Sequence, residues 1–269
     1  MDHGTVFALP DANQLPSFSC IFSGERSSHH CVLIPIINEG ERIVRQLLGM
    51  KSAELRLDIV IVDGGSTDGS TGPQRLRNDL GVNTLLLKTG EGRLSAQLRI
   101  GMAWALARGY AGVVTIDGNG KDDFRAIPDF IGKLEAGFDH VQGSRYLPGG
   151  IAENTPLDRE FGVRFLHAPL ISLGAGVRYT DTTNGFRAFS RRLLMDLRVR
   201  PFRAIFDTYN LHYYLAVRAP RLGFRVCEIP VARRYPMTGP TPSKIAGWPV
   251  KFQILKQTVV AACGGYNPR

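Results

Sequence analysis

The stretch Cys31-Val32-Leu33-Ile34-Pro35-Ile36-Ile37-Asn38-Glu39 is an unbroken apolar run that stops on two polar residues. A run of this length without alternation reads as a strand covered on both faces, the usual condition of a parallel sheet. Downstream, Ile43, Leu47 and Leu48 fall at helical spacing within Glu41 to Lys51, and a second apolar run follows from Ile59 to Val62. The alternation continues through Leu85 to Leu87, a helical segment from about Arg93 to Arg108, and Val113 to Ile116. A helix around Ala126 to Glu135 and a short strand ending near Gly143 complete it. This order predicts a mostly parallel α/β sheet flanked by helices. In such sheets ligands sit beyond the carboxyl ends of the strands. The residues standing there are Asn38-Glu39, Asp63-Gly64-Gly65-Ser66, Asp117-Gly118-Asn119 and Ser144-Arg145.

The second half is less regular. Pro148-Gly149-Gly150 is followed by a helical segment around Arg159 to Leu173, a polar turn from Thr180 to Gly185, a helix from about Thr208 to Ala219 and a strand from Arg225 to Ile229. Residues 1–30 show no sustained periodicity and carry Pro10, Pro16 and Ser27-Ser28-His29-His30, so they are expected to form a loosely ordered arm. With no internal repeat or low-complexity linker, residues 31–269 are expected to form a single domain.

Composition narrows the classes. The 269 residues are 43% hydrophobic and 21% charged, which excludes a disordered or fibrous chain. The longest C-terminal apolar candidate, Ile254 to Cys263, is interrupted by Lys256 and Gln257, too short to span a bilayer. Asp2 and Asp11 do not fit a signal peptide, so the expected location is the cytoplasm. Cys20, Cys31, Cys227 and Cys263 have no paired metal-ligand spacing and read as reduced thiols. The net charge of +9 is scattered, with no basic run. That favours phosphates or an acidic membrane surface as partners, and not nucleic acid.

Glu39, Asp63 and Asp117 are three acidic groups at the ends of three strands. Gathered on one rim they are costly unless they meet a group that donates hydrogen bonds or carries positive charge, such as a ribose, a base edge or a divalent cation. Each alone is as well explained by capping the turn that follows it. Asp63-Gly64-Gly65-Ser66-Thr67-Asp68-Gly69-Ser70 supplies a sharp glycine turn able to admit a nucleotide. Gly90-Glu91-Gly92-Arg93 lacks the third glycine of a dinucleotide fingerprint, which argues against a dehydrogenase. The six histidines have no metal-binding spacing and no Gly-x-Ser-x-Gly elbow is present, so a hydrolase lacks its nucleophile.

Val32-Leu33-Ile34-Pro35-Ile36-Ile37-Asn38-Glu39, Ile61-Val62-Asp63-Gly64-Gly65-Ser66-Thr67-Asp68 and Thr115-Ile116-Asp117-Gly118-Asn119 together resemble the leading motifs of family 2 glycosyltransferases. Gly143-Ser144-Arg145, Thr183-Asn184-Gly185-Phe186-Arg187, Glu228-Ile229-Pro230 and Arg233-Arg234 through Ser243-Lys244 resemble the dolichyl-phosphate mannose synthase branch. The resemblance runs from about Cys31 to Trp248 and implies a glycosyltransferase-A-like fold. Residues 31–145 would then be a nucleotide-sugar half and 146–269 an acceptor half. By the same resemblance Pro35, Asn38, Glu39, Asp63 and Gly65 hold the nucleoside, and Asp117 with Asn119 faces the diphosphate and its Mg²⁺ or Mn²⁺. Arg145, Arg187, Arg234 and Lys244 surround phosphate, and Asp207 stands where hydroxyl-modifying relatives carry a catalytic carboxylate. The chain departs from the pattern at Asn119, where the second aspartate is usual, and at Lys121. Both weaken a hard-cation site, with Asp122 as a substitute ligand.

The expected activity is transfer of a sugar, with inversion, from a GDP- or UDP-sugar to a polyprenyl-phosphate-type acceptor, with peripheral membrane contact. Two alternatives stand beside it. One is transfer to a hydroxyl of a soluble acceptor, with Asp207 as general base. The other is a catalytically silent nucleotide-sugar-binding protein, motivated by Asn119.

Overall fold

The computed structural model describes residues 9–237 and 247–268. Its strands are β1 Phe18–Ser23, β2 His30–Ile36, β3 Asp58–Asp63, β4 Thr84–Lys88, β5 Gly112–Thr115, β6 His140–Ser144, β7 Ile151–Glu153, β8 Arg187–Ser190, β9 Val226–Pro230 and β10 Ala232–Arg234. Its helices are α1 Glu41–Ser52, α2 Leu94–Ala107, α3 Ile127–Glu135, α4 Leu157–Gly162, α5 Ala168–Ala175, α6 Arg191–Met195, α7 Asn210–Arg221 and α8 Trp248–Ala262. Eight strands form one sheet in the order β1-β4-β3-β2-β5-β8-β6-β9, and β7 pairs with β10 in a small parallel ribbon.

The run that opens at Cys31 lies near the middle of this sheet, parallel to β3 on one side and β5 on the other. Its side chains alternate between two cores. Cys31 and Leu33 join Val60, Val62 and the apolar faces of α2 and α7. Val32, Ile34 and Ile36 join Ile43 and Leu47 of α1 and Phe130 of α3. Because both faces are covered, the strand is apolar throughout; each such buried side chain contributes about 1.5–3 kcal/mol. The sheet is mixed, not purely parallel. β8 enters antiparallel between β5 and β6, and β9 lies parallel beside β6, so two strands from the second half of the chain join the same layer.

Residues 18–23 correct the expectation of a loose arm. They form β1, antiparallel on the outer edge of β4. Phe18, Cys20 and Phe22 alternate inward along β1, but Ile21 is apolar at an exposed position and so hides the period in the sequence, and the pairing with β4 shifts register between Cys20 and Phe22. The helical segment expected around Arg159 to Leu173 is found as α4 and α5 joined through a π turn at Val163–His167.

Candidate active site

The ends of β2 and β3 form one shelf. Gln97 of α2 donates through Nε2 to the carbonyls of Ile36 and Val62, each at 2.8 Å, which fixes the two strand ends side by side. Pro35 is buried in β2. Asp63 turns back on its own loop: its Oδ1 accepts from Gly65 N–H (3.1 Å), Ser66 N–H (2.9 Å) and the Ser66 hydroxyl (2.7 Å). Gly65 takes φ of 94°, a conformation that side chains resist, so a glycine is required for this turn. Asn38, itself at φ of 51°, donates from its N–H to Ser66 Oγ at 3.0 Å, and its Oδ1 accepts from Thr67 N–H at 2.8 Å. Glu39 accepts from Arg42 at 3.2 Å. The structure thus brings Pro35, Asn38, Glu39, Asp63 and Gly65 together.

Asp117 stands two residues beyond β5, on the other side of β2. Its Oδ2 accepts from Arg233 Nη2 at 2.9 Å and from Asn119 Nδ2 at 3.2 Å. On its other side Gly185 approaches so closely that a Cβ there would lie 2.5 Å from Oδ1. Arg233 also donates through Nη1 to Asp122 Oδ2 and to Asn184 Oδ1. The backbone holds Arg233 in this place: Asp122 and Arg233 form an antiparallel bridge, Asp123 N–H donates to Ala232 O, and Arg234 N–H donates to Lys121 O. Burial acts to raise Asp117, but Arg233 and Lys121 bring it down to about 2. Burial prevails at Asp122, which lies above the ordinary carboxylate range despite Arg233.

A cluster of cations surrounds Tyr235. Lys121 Nζ lies 4.8 Å from the ring centre, and Arg159 donates to the hydroxyl at 2.9 Å. Burial and then Arg233 bring Lys121 down to about 8. Burial acts to raise Tyr235, yet Arg233, Arg159 and Lys121 outweigh it and bring the phenol down to about 8.

The other expected phosphate partners are placed differently. Arg145 forms a bidentate pair with Asp181, at 2.6 and 3.0 Å, and both side chains are sealed from solvent. Arg187 is wholly buried, with its guanidinium donating to the carbonyls of Asn184 (2.9 Å), His212 (2.8 Å) and Thr182 (2.6 Å). Both are spent on the scaffold, which corrects their reading as direct phosphate contacts. Arg234, the exposed member of β10, pairs with Glu153 at 3.0 Å. Lys244 lies outside the described residues. Asp207 is exposed; its carbonyl accepts from Arg93 N–H at 2.7 Å, and Thr208 O from Ser95 N–H at 2.7 Å, so this loop covers the start of α2. Arg233 is the residue that the sequence reading missed. The signal was the pair Arg233-Arg234 in a strand, where consecutive side chains must face opposite ways.

Residues 31–198 match Glycosyl transferase family 2. The chain belongs to that family. Polyprenol monophosphomannose synthase of Mycolicibacterium smegmatis is 31% identical over 212 residues, covering 74% of this chain and 75% of the relative. Undecaprenyl-phosphate mannosyltransferase of Micrococcus luteus is 28% identical over 201 residues, covering 74% and 81%. The solved structure of glucosyl-3-phosphoglycerate synthase from Mycobacterium tuberculosis, in complex with Mn²⁺, UDP and glucosyl-3-phosphoglycerate, superposes with a TM-score of 0.58 at 18% identity, covering 88% of this chain and 78% of that one. That likeness shows the glycosyltransferase-A fold.

In this glycosyltransferase the groups around Asp117 do not fit a hard divalent cation. Such ions favour several oxygen ligands, carboxylates above all. Asp122, expected as a substitute ligand, has a fully buried side chain whose Oδ2 is taken by Arg233. Asn119 donates its amide toward Asp117, and Lys121 adds an ammonium. Among the described residues no group of three His, Cys, Asp or Glu side chains could hold a metal.

Proposed function

We propose that this glycosyltransferase moves a sugar from a GDP- or UDP-sugar to the phosphate of a polyprenyl-phosphate-type acceptor, with inversion at the anomeric carbon. The shelf of Asn38, Glu39, Asp63 and Gly65 suits the nucleoside, and the Lys121, Arg159 and Arg233 cluster beside Asp117 suits the diphosphate. An oxygen of the acceptor phosphate forms the new bond to the anomeric carbon as the bond to the diphosphate oxygen breaks, and the electron pair leaves on the diphosphate. Fixed cations facing that growing charge lower the barrier. A phosphate monoester is largely ionised near neutral pH, so the acceptor needs no general base.

The observation that carries the lipid acceptor is an apolar strip that starts beside the site. Arg159 turns one face of α4 toward Tyr235, while Leu157 and Phe161 on the same helix are 83% and 65% exposed. Phe165 lies tilted against Phe161 at 4.9 Å between ring centres, and Lys251 ties α4 to α8, where Phe252 is 70% exposed. Such a strip rimmed by basic residues suits a prenyl chain and the membrane interface. Among the described residues no helix is long and apolar enough to cross a membrane, so the contact proposed is peripheral. Names of the relatives support the same acceptor.

The test offers the protein GDP- and UDP-sugars with a polyprenyl phosphate in detergent micelles, and separately with soluble alcohols. A lipid-linked sugar phosphate is expected, and Asp207→Asn should retain most of that turnover. Transfer confined to a soluble hydroxyl, abolished by Asp207→Asn in a folded variant, would overturn the reading.

A further inference from the structure

We propose that Arg233 is a built-in cation that takes the place of a divalent metal beside Asp117, so that the donor diphosphate binds without metal. The inference rests on the nucleotide-sugar reading above. A bound metal would have to neutralise the strand-end carboxylate and present positive charge to the diphosphate. Arg233 already does the first, bridging Asp117 and Asp122 through separate nitrogens. Lys121 does the second from the same segment, its ammonium over Tyr235 and within electrostatic range of both carboxylates.

The guanidinium is not a flexible surface group that would withdraw before an incoming ion. It is 6% exposed, its backbone is bridged to Asp122, and Asn184 accepts a further hydrogen bond from it. A divalent ion on Asp117 would sit beside this fixed guanidinium, and withdrawing the whole Arg233 side chain to relieve the repulsion would leave Asp122 buried without its partner, which is expensive. Asn119 belongs to the same arrangement. An aspartate there would bring a third carboxylate to the centre, whereas the amide donates to Asp117 and, through Oδ1, accepts from Lys121 N–H at 3.3 Å.

Calorimetric titration of the wild-type protein with UDP and with GDP, once in EDTA and once in excess Mn²⁺, tests the inference without any variant. Whichever nucleotide binds is expected to show the same Kd in both buffers, and protein without nucleotide should leave the paramagnetic spectrum of free Mn²⁺ unchanged. Binding that appears only with Mn²⁺ would overturn the inference and leave the donor reading standing. Absence of binding by either nucleotide in either buffer would overturn both. The double variant Arg233→Gln with Asp122→Asn removes opposite charges together, so that Asp122 is not left buried and unpaired, while the partly exposed Asp117 keeps Asn119 and Lys121 beside it. In EDTA it is expected to bind nucleotide roughly 10- to 100-fold more weakly, the scale for losing a charge-assisted hydrogen bond. Wild-type affinity in that folded variant would assign Arg233 a purely structural role and overturn the inference.

Discussion

Asp63 ends β3 and Asp117 stands two residues beyond β5, the two strands that flank the central β2, yet they are held in opposite ways. Asp63 is satisfied by its own turn, through Gly65 and Ser66, two and three residues on. Asp117 is satisfied by Arg233, from a ribbon formed late in the chain. A carboxylate closed by its own loop keeps a fixed shape whatever the rest of the chain does, which suits recognition of a nucleoside. A carboxylate neutralised from a distance ties the charge at the proposed diphosphate position to the docking of β10. The difference also separates two kinds of arginine. Arg145 and Arg187 serve the fold, and Arg233, though also buried, holds the partly exposed Asp117, beside which the sugar nucleotide is proposed to lie.

The largest expected effect breaks that second distinction. Arg145→Ala leaves Asp181 buried without its partner and should lower stability by about 3–5 kcal/mol in urea unfolding. Arg187→Met takes a charged donor from three buried carbonyls, of which Asn184 O keeps Gln142 Nε2, and should also unfold at markedly lower urea. If either variant keeps its stability and loses only nucleotide affinity, these arginines touch phosphate and their assignment to the scaffold fails. Lys121→Met comes next. It should cut kcat by roughly 10²- to 10³-fold, the scale for one preorganised donor at a developing charge, while the urea midpoint holds or rises because a buried ammonium is removed. Unchanged turnover with a verified acceptor would place the diphosphate elsewhere.

The comparison also marks how far the sequence could be read. The apolar runs, the Asp63 turn and the acidic strand ends were legible because strand burial and turn chemistry are local. β1 was hidden by Ile21, an apolar residue at an exposed position, and β8 by its four residues, too few for a period and tolerant of the buried Arg187. The pairing of Asp117 with Arg233 could not be read, since nothing in either segment specifies where a ribbon 116 residues away will dock. Arg145 and Arg187 were misassigned for a related reason: a motif shows that a cation is needed, and only packing shows whether it faces solvent or three carbonyls.

A smaller effect sharpens the contrast through pH. Asp63 has no cation in its turn, whereas the Asp117 centre includes Lys121 and Tyr235, both brought to about 8. Each proton lost above that pH subtracts one positive charge from the proposed diphosphate position. Nucleotide affinity should therefore weaken from about pH 7 to about pH 9.5, by no more than about tenfold per proton and pH unit. Stability should move the other way. Between about 8 and 10 the unfolded chain keeps both protons that the folded chain has released, so these two groups make stability rise with pH. Isothermal titration and urea midpoints across that range check both signs, and Tyr235→Phe with Lys121→Met should flatten both profiles.

The smallest expected effect concerns the neighbour of Arg233. Arg234 shares its ribbon and its charge, and sequence reading assigned it to phosphate. One step along a strand turns a side chain to the opposite face, so the two arginines are expected to differ in role as completely as in burial. The Arg234 side chain is 44% exposed, paired with Glu153 at 3.0 Å and lying 3.7 Å from Asp123. Exposed pairs of this kind are worth about 0–1 kcal/mol, since solvent screens them and two long side chains lose freedom in forming them. Arg234→Ala should therefore lower stability by no more than about 1 kcal/mol and leave nucleotide affinity within a factor of a few, the same scale in binding. Side-by-side titration of Arg234→Ala and the Arg233 double variant decides which face of β10 meets the donor. A large loss in the Arg234 variant, with the Arg233 variant unaffected, would mean that the ribbon presents its other side when substrate binds, and the contrast between the two strand-end carboxylates would have to be redrawn around Arg234.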